Sequence, residues 1–318
     1  MKPVLFYSDN SDQQLYSQTK IQFQKNTIKL FAATIAGSPE KPNEDAFAAV
    51  YDNNVLFAAV FDGTTSLKPI QALKDQTGAR FASHFLKNTF SKTKSTASPN
   101  ELLSKLNKEL LQTTNKFESA SIEDTHTLPS STGTIIKIDV LKNTFSFAHV
   151  GDSYGIAYYA DGSSIVFTDD KNSKFDEKMF SLIAQIAKEK GISPRKARDD
   201  KQVKEALITM FIERNNNPNG RGCGVINGDP QVEQYIQTQT FSLQDVKAIL
   251  IATDGITPPG WSEKKEEDRK KLLSEIMNGG LKKLFKTKKQ SEDADPDWNY
   301  IRYKHSDDAT GVLLQIEN

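Results

Sequence analysis

Only one cysteine, Cys223, occurs in 318 residues. That excludes a disulfide framework and a cysteine-rich zinc site. The four histidines are scattered, which argues against a histidine-built metal site. Any metal held here must rely on oxygen ligands, which favour Mg²⁺ or Mn²⁺ over zinc. An excess of charge is also missing, because 41 Lys and Arg balance 41 Asp and Glu. Zero net charge gives no overall pull toward nucleic acid or acidic membranes. No apolar run reaches the roughly 18–20 residues that a membrane helix needs. The N-terminal segment has a brief apolar patch without the long core of a secretory signal. The expectation is a monomeric, cytoplasmic protein with no nucleic-acid partner and no integral membrane association. Export by a route that reads other signals stays open.

What the sequence does contain is a recurring design: a short apolar run that stops at an acid. Residues 55–61 read as a buried strand and end in Asp62-Gly63. Residues 249–253 repeat it and end in Asp254-Gly255. Asn43-Glu44-Asp45 comes just before another apolar strand, and Asp307-Asp308 shortly before the last one. A single such aspartate is a turn residue or a helix cap. Four acidic clusters at strand edges, far apart in sequence, suggest carboxylates converging on hard cations.

Residues 1–27 read as a polar lead-in. Strands are expected over 29–35, 47–51 and 55–61, then a helix over 67–88 with Ile70, Leu73, Thr77, Phe81 and Phe85 on one face. Ser98-Pro99-Asn100-Glu101 supplies the cap of a second helix. Strands over 134–140, 144–150, 154–159 and 164–167 have hairpin-sized connections, which imply antiparallel pairing. A third helix follows around Phe175–Ile186, and Ser193-Pro194 opens a fourth that runs to about Arg214. Strands 232–241 and 247–253, helices 264–277 and 281–285, and a strand over 312–316 close the chain. Strands in groups with helices in pairs between them suggest antiparallel sheets with helix layers outside. No composition break demands a second domain, so residues 1–318 read as one domain.

The order Asn-Glu-Asp-Ala (43–46), Val-Phe-Asp-Gly (60–63), Ser-Thr-Gly-Thr (131–134), Ala-His-Val-Gly-Asp-Ser (148–153), Ala-Thr-Asp-Gly-Ile (252–256) and Asp-Asp-Ala-Thr (307–310) resembles the metal-dependent type 2C protein phosphatases, in particular a divergent bacterial branch. Thr168-Asp-Asp-Lys-Asn172 is similar to a further family step, altered at its end. The resemblance implies an α+β fold, a four-layer αββα sandwich of two antiparallel sheets flanked by helices. It implies a protein-serine/threonine phosphatase acting on a phosphoprotein in signalling, with two Mn²⁺ or Mg²⁺ ions. Asp62 would bridge both ions, the Gly63 carbonyl would bind one, and Asp254 and Asp307 would complete the other. Glu44 and Asp45 would hold metal-bound waters. Asp152, with Asp254, would hold a third ion; the alternative for Asp152 is a structural turn. A water bridging the cations would attack phosphorus in line. Residues 171–221 match the family's flap region beside the active site.

Two departures stand out. Where the family has a phosphate-gripping Arg, this chain has Glu40; the adjacent Lys41 is the candidate substitute, as a point charge without the Arg fork. Where many members have His after Asp-Gly, this chain has Thr64, whose hydroxyl is a poor proton donor. These departures support the alternative of a pseudophosphatase acting as a binding or regulatory module. The retained Asp62, Asp254 and Asp307 oppose it.

Overall fold

The computed structural model describes residues 4–8, 14–23, 27–52, 54–64, 70, 73–74, 76–94, 96–117, 127–217, 219 and 222–317. In chain order the elements are β1 (Val4–Tyr7), β2 (Gln14–Gln22), β3 (Thr27–Ile35), β4 (Ala46–Asp52), β5 (Val55–Thr64), α1 (Gly78–Phe90), α2 (Pro99–Thr114), β6 (Ser130–Asp139), β7 (Thr144–Val150), β8 (Tyr154–Tyr159) and β9 (Ser164–Val166). Then come α3 (Ser173–Lys190), α4 (Pro194–Ala197), α5 (Lys201–Arg214), β10 (Gln237–Ser242), β11 (Val246–Ala252), α6 (Glu266–Asp293) and β12 (Ala309–Glu317).

The strands form two sheets, ordered β1-β4-β5-β6-β7-β10 and β2-β3-β12-β11-β8-β9, and the pairings are antiparallel. Side chains alternate across each strand. In β5, Leu56, Ala58 and Val60 face the other sheet, where they meet Leu30, Ile249, Ile251, Val312 and Leu314. Phe57, Ala59 and Phe61 face outward, onto Ala82, Leu86 and Phe90 of α1 and Leu103 and Leu106 of α2. On the far side, Leu250 and Leu313 pack against Leu272, Ile276 and Leu284 of α6. The result is the expected α+β sandwich of two antiparallel sheets flanked by helices. Helices α3–α5 carry a small core of their own, including Met179, Ile183, Val203 and Met210. No helix among the described residues is long and apolar enough to cross a membrane.

Several expectations are corrected. The polar lead-in contains β1 and β2, which extend the two sheets as edge strands by backbone pairing, so the polar side chains of β2 can stay wet. The first helix begins at Gly78, because extended Thr77 caps it by accepting from the Arg80 N–H at 3.1 Å; residues 67–69, 71–72 and 75 of the expected helix lie outside the described residues. Its buried face is Ala79, Ala82, Leu86 and Phe90, since small alanines let α1 sit close on the sheet. Phe81 and Phe85 stack on each other at the flank instead. The fourth helix splits into α4 and α5, because Asp200 restarts it as an N-cap. The strand expected from 232 starts only at Gln237, since Asp229-Pro230 opens a 3-10 turn first. Helix α6 continues through the two expected pieces to Asp293, kinked at Gly280, whose φ of 69° suits glycine.

His149 is fully buried on β7, with Nδ1 2.9 Å from the Thr134 hydroxyl. Burial lowers its pKa from 6.5 to about 4. As pH falls below 6.5, the unfolded chain takes up a proton that the folded chain refuses. Stability is therefore full above 6.5 and is lost as pH falls toward 4. At about 1.4 kcal/mol per unit, the loss approaches about 3 kcal/mol. A melting curve repeated between these pH values should show it, and His149→Gln should flatten the slope.

Candidate active site

The antiparallel register brings the acidic clusters to one edge of the sandwich. Ala46, which opens β4, pairs with Phe61 near the end of β5. Ala252, which closes β11, pairs with Gly311 near the start of β12 and with Tyr154 at the start of β8. Asp45, Asp62, Asp152, Asp254 and Asp307 all lie just beyond or at these strand ends. Asp45 and Asp62 continue the inward alternation of Phe47 and Val60, so both aim between the sheets.

Two glycines permit the crowding. A Cβ on Gly63 would lie 2.6 Å from the Ala79 carbonyl oxygen and 2.7 Å from that of Glu44. A Cβ on Gly255 would lie 1.9 Å from the Asp308 carbonyl oxygen. Gly255 thus lets the 307–308 segment lie against Asp254. Gly255→Ala should cost about 1–3 kcal/mol by overpacking and push Asp307 away from Asp254. Thermal unfolding beside wild type checks this.

A chain of buried hydroxyls and amides underlies the cluster. The Thr253 hydroxyl donates to Asp45 Oδ2 at 2.7 Å and accepts from the Thr310 N–H at 2.9 Å. Thr310 and Thr34 hydroxyls meet at 2.6 Å, and Asn43 Nδ2 donates to Thr34 at 2.7 Å. Asp308 accepts from the N–H groups of Gly37 and Glu44, both at 2.7 Å, and so closes the 37–44 loop onto β12. Glu44 itself accepts from the Thr77 hydroxyl at 2.5 Å. Asp152 accepts from Thr132 Oγ1 and from Asn172 Nδ2, both at 3.0 Å. Asn172 also donates to Asp176 and accepts from Arg214, tying Asp152 to the α3–α5 region.

The electrostatics show a surplus of negative charge. Burial, then Asp308, raises the Asp45 carboxyl well above the usual range. Burial, then Asp45 and Asp254, does the same to Asp62. Asp254 keeps solvent access at the rim, yet protein walls it in; that desolvation, then Asp152 and Asp307, raises its carboxyl. Because water reaches it, the repulsion from its neighbours is the more durable part. Burial also raises Asp152 and Glu44, against the pull of Arg214 and the Thr77 hydroxyl respectively.

Lys304 is a cation within this set, and the sequence reading did not identify it. Its ammonium pairs with Asp307 Oδ1. Its side chain reaches water, yet surrounding protein partly desolvates the ammonium; Asp307, Asp62 and Asp254 outweigh that desolvation and raise its pKa. Lys304 also lowers the carboxyls of Glu44, Asp254 and Asp308. Lys41, the sequence candidate, is exposed in the 37–44 loop, where its N–H bonds the Ser38 carbonyl. The Thr64 hydroxyl, at the end of β5, meets Ser130 Oγ at 2.5 Å.

The donors fit Mg²⁺ or Mn²⁺ in chemistry: hard carboxylate oxygens whose mutual repulsion a divalent cation would relieve. Among the described residues, no three acidic, His or Cys side chains form a ready-made ligand set.

Fold and edge cluster together define a two-sheet sandwich of the metal-phosphatase type. The protein phosphatase 2C family profile matches residues 34–290, and the chain belongs to that family. Members of this family are metal-dependent. No curated protein matches the chain. Among solved structures, RsbX in complex with magnesium is 15% identical with a TM-score of 0.52, covering 95% of this chain and 100% of that one. Serine/threonine phosphatase Stp1 from Staphylococcus aureus is 15% identical with a TM-score of 0.52, covering 95% and 98%. The Mycobacterium tuberculosis serine/threonine phosphatase PstP/Ppp is 15% identical with a TM-score of 0.50, covering 92% and 99%. At these identities the likeness is one of fold.

Proposed function

We propose that the protein hydrolyses phosphoserine or phosphothreonine esters in proteins at the carboxylate-lined edge. The observation that carries this reading is the meeting of Asp45, Asp62, Asp254 and Asp307 from separate strand ends, with negative charge in surplus. Asp62, Asp254, Asp307 and the Gly63 carbonyl would hold two divalent cations, with Glu44 and Asp45 behind them. Asp152, with Asp254, would hold a third. Bound cations would neutralise the phosphate dianion and activate water for in-line displacement. The same proposal takes residues 1–318 as one catalytic unit, with 171–221 as its flap.

The chain's own side chains orient and partition charge. Thr253 fixes Asp45, and Asp308 pins the loop that carries Glu44. Burial lowers His84 to about 3 and His149 to about 4, so both are neutral near pH 7. His305 pairs with Asp293 on α6, and His126 lies outside the described residues. Neither His84 nor His149 is then charged to protonate the leaving alcohol. Glu40 and Thr64, at positions where the family has Arg and His, favour a second reading, a catalytically weak binding module.

Phosphate release from p-nitrophenyl phosphate with Mn²⁺, with Mg²⁺ and with EDTA separates the two. Turnover that EDTA abolishes supports the hydrolase. Absence of turnover with either ion, on the aryl ester and on a phosphothreonine peptide, leaves the binding module.

A further inference from the structure

We propose that Lys304 is the phosphate-gripping cation of this site, taking over from the 37–44 loop, which Asp308 holds against the same 304–308 segment. This rests on the phosphatase reading above. A phosphate dianion approaching a ring of carboxylates needs a positive side chain of the protein near Asp62 and Asp254. Glu40 offers the wrong sign. Lys304 pairs with Asp307, and its charge is felt by Asp62, Asp254, Glu44 and Asp308.

The backbone on both sides of Lys304 is anchored, so its reach is not accidental. The Tyr303 hydroxyl donates to Asp176 Oδ1 at 2.8 Å, and the Tyr303 carbonyl accepts from Arg198 Nε at 2.9 Å. Arg302 pairs with Asp295 at 2.7 Å. Downstream, buried Lys288 donates to Ser306 Oγ and the Asp307 carbonyl, both at 2.9 Å. The side chain itself is 54% exposed and can swing about this fixed base. Asp307 can serve either the ammonium or a divalent cation. Once Asp307 serves the cation, the ammonium is released beside the cluster and turns to the incoming anion, a charge-assisted contact. Since Tyr303 and Arg198 link this base to α3 and α4, the flap region sets where the lysine stands.

The test uses the full chain as wild type, Lys304→Met, Lys304→Arg and Lys41→Met. Calorimetry reads Mn²⁺ affinity without phosphate, then affinity of the Mn²⁺-loaded protein for inorganic phosphate. Lys304→Met should weaken phosphate binding by about tenfold or more, with Mn²⁺ affinity equal to or above wild type because Asp307 loses its competitor. Lys304→Arg should stay within about threefold of wild type for phosphate, since its charge is kept. Unchanged phosphate affinity in Lys304→Met, or a loss found only in Lys41→Met, would overturn the assignment alone. Loss of Mn²⁺ and phosphate affinity together in Lys304→Met would make the residue a brace, and also overturn it. A wild-type protein that binds no Mn²⁺ would overturn the phosphatase reading and this assignment with it.

Discussion

Asp62→Asn should remove phosphatase turnover while making the metal-free protein more resistant to heat. The two effects share one cause. Burial and the neighbouring Asp45 and Asp254 charges raise the Asp62 carboxyl, so the folded chain holds that charge at a cost. An amide of the same shape removes the repulsion, and the metal-free melting temperature should rise, on the order of a few degrees. The amide is also a far weaker ligand for a hard cation, and kcat should fall by at least about 10²–10³-fold. Melting curves in EDTA and phosphate release in Mn²⁺ read the two arms. A variant that loses both stability and turnover would mean that Asp62 is a structural turn residue.

Added Mn²⁺ should raise the melting temperature of wild type, and increasingly so across a pH series from 4 to 8. The sign follows from the direction of the shifts. Asp45, Asp62 and Asp254 have folded pKa values above the usual carboxylate value of 3.8. Their contribution to metal-free stability is present at low pH and is lost as pH rises through the folded values. A divalent cation supplies the missing counter-charge and competes with protons for the same oxygens. At a free concentration of 100 times Kd, binding to the folded state alone contributes about 2.7 kcal/mol. Thermal melts at fixed Mn²⁺ across this range check it, with EDTA as the reference. A shift that shrinks as pH rises would contradict the carboxylate assignment.

Much of this could be read from the chain because the signals were local. A continuous apolar run marked β5, and Asp-Gly marked the ends of two strands that the register brings to one edge. The α2 cap was complete within Ser98–Glu101, and both halves of that capping box form. What escaped depended on partners distant in sequence. Strand β1 is only four residues long, and the largely polar β2 is specified by pairing along β3 rather than by its own pattern. Thr34 and Thr310 meet across 276 positions. Lys304 lies in a polar stretch three residues before Asp307, and only the folded chain brings its charge within reach of Asp62 and Asp254. The buried face of α1 was misjudged because large phenylalanines outweighed alanines in the pattern, whereas close packing on Phe57 and Phe61 selects the alanines.

If these strand-end carboxylates form a divalent-cation centre, calorimetric titration of Mn²⁺ at pH 7.5, without phosphate, should show saturable binding to wild type that Asp62→Asn loses. Equal binding by the two proteins, or none by wild type, would contradict it.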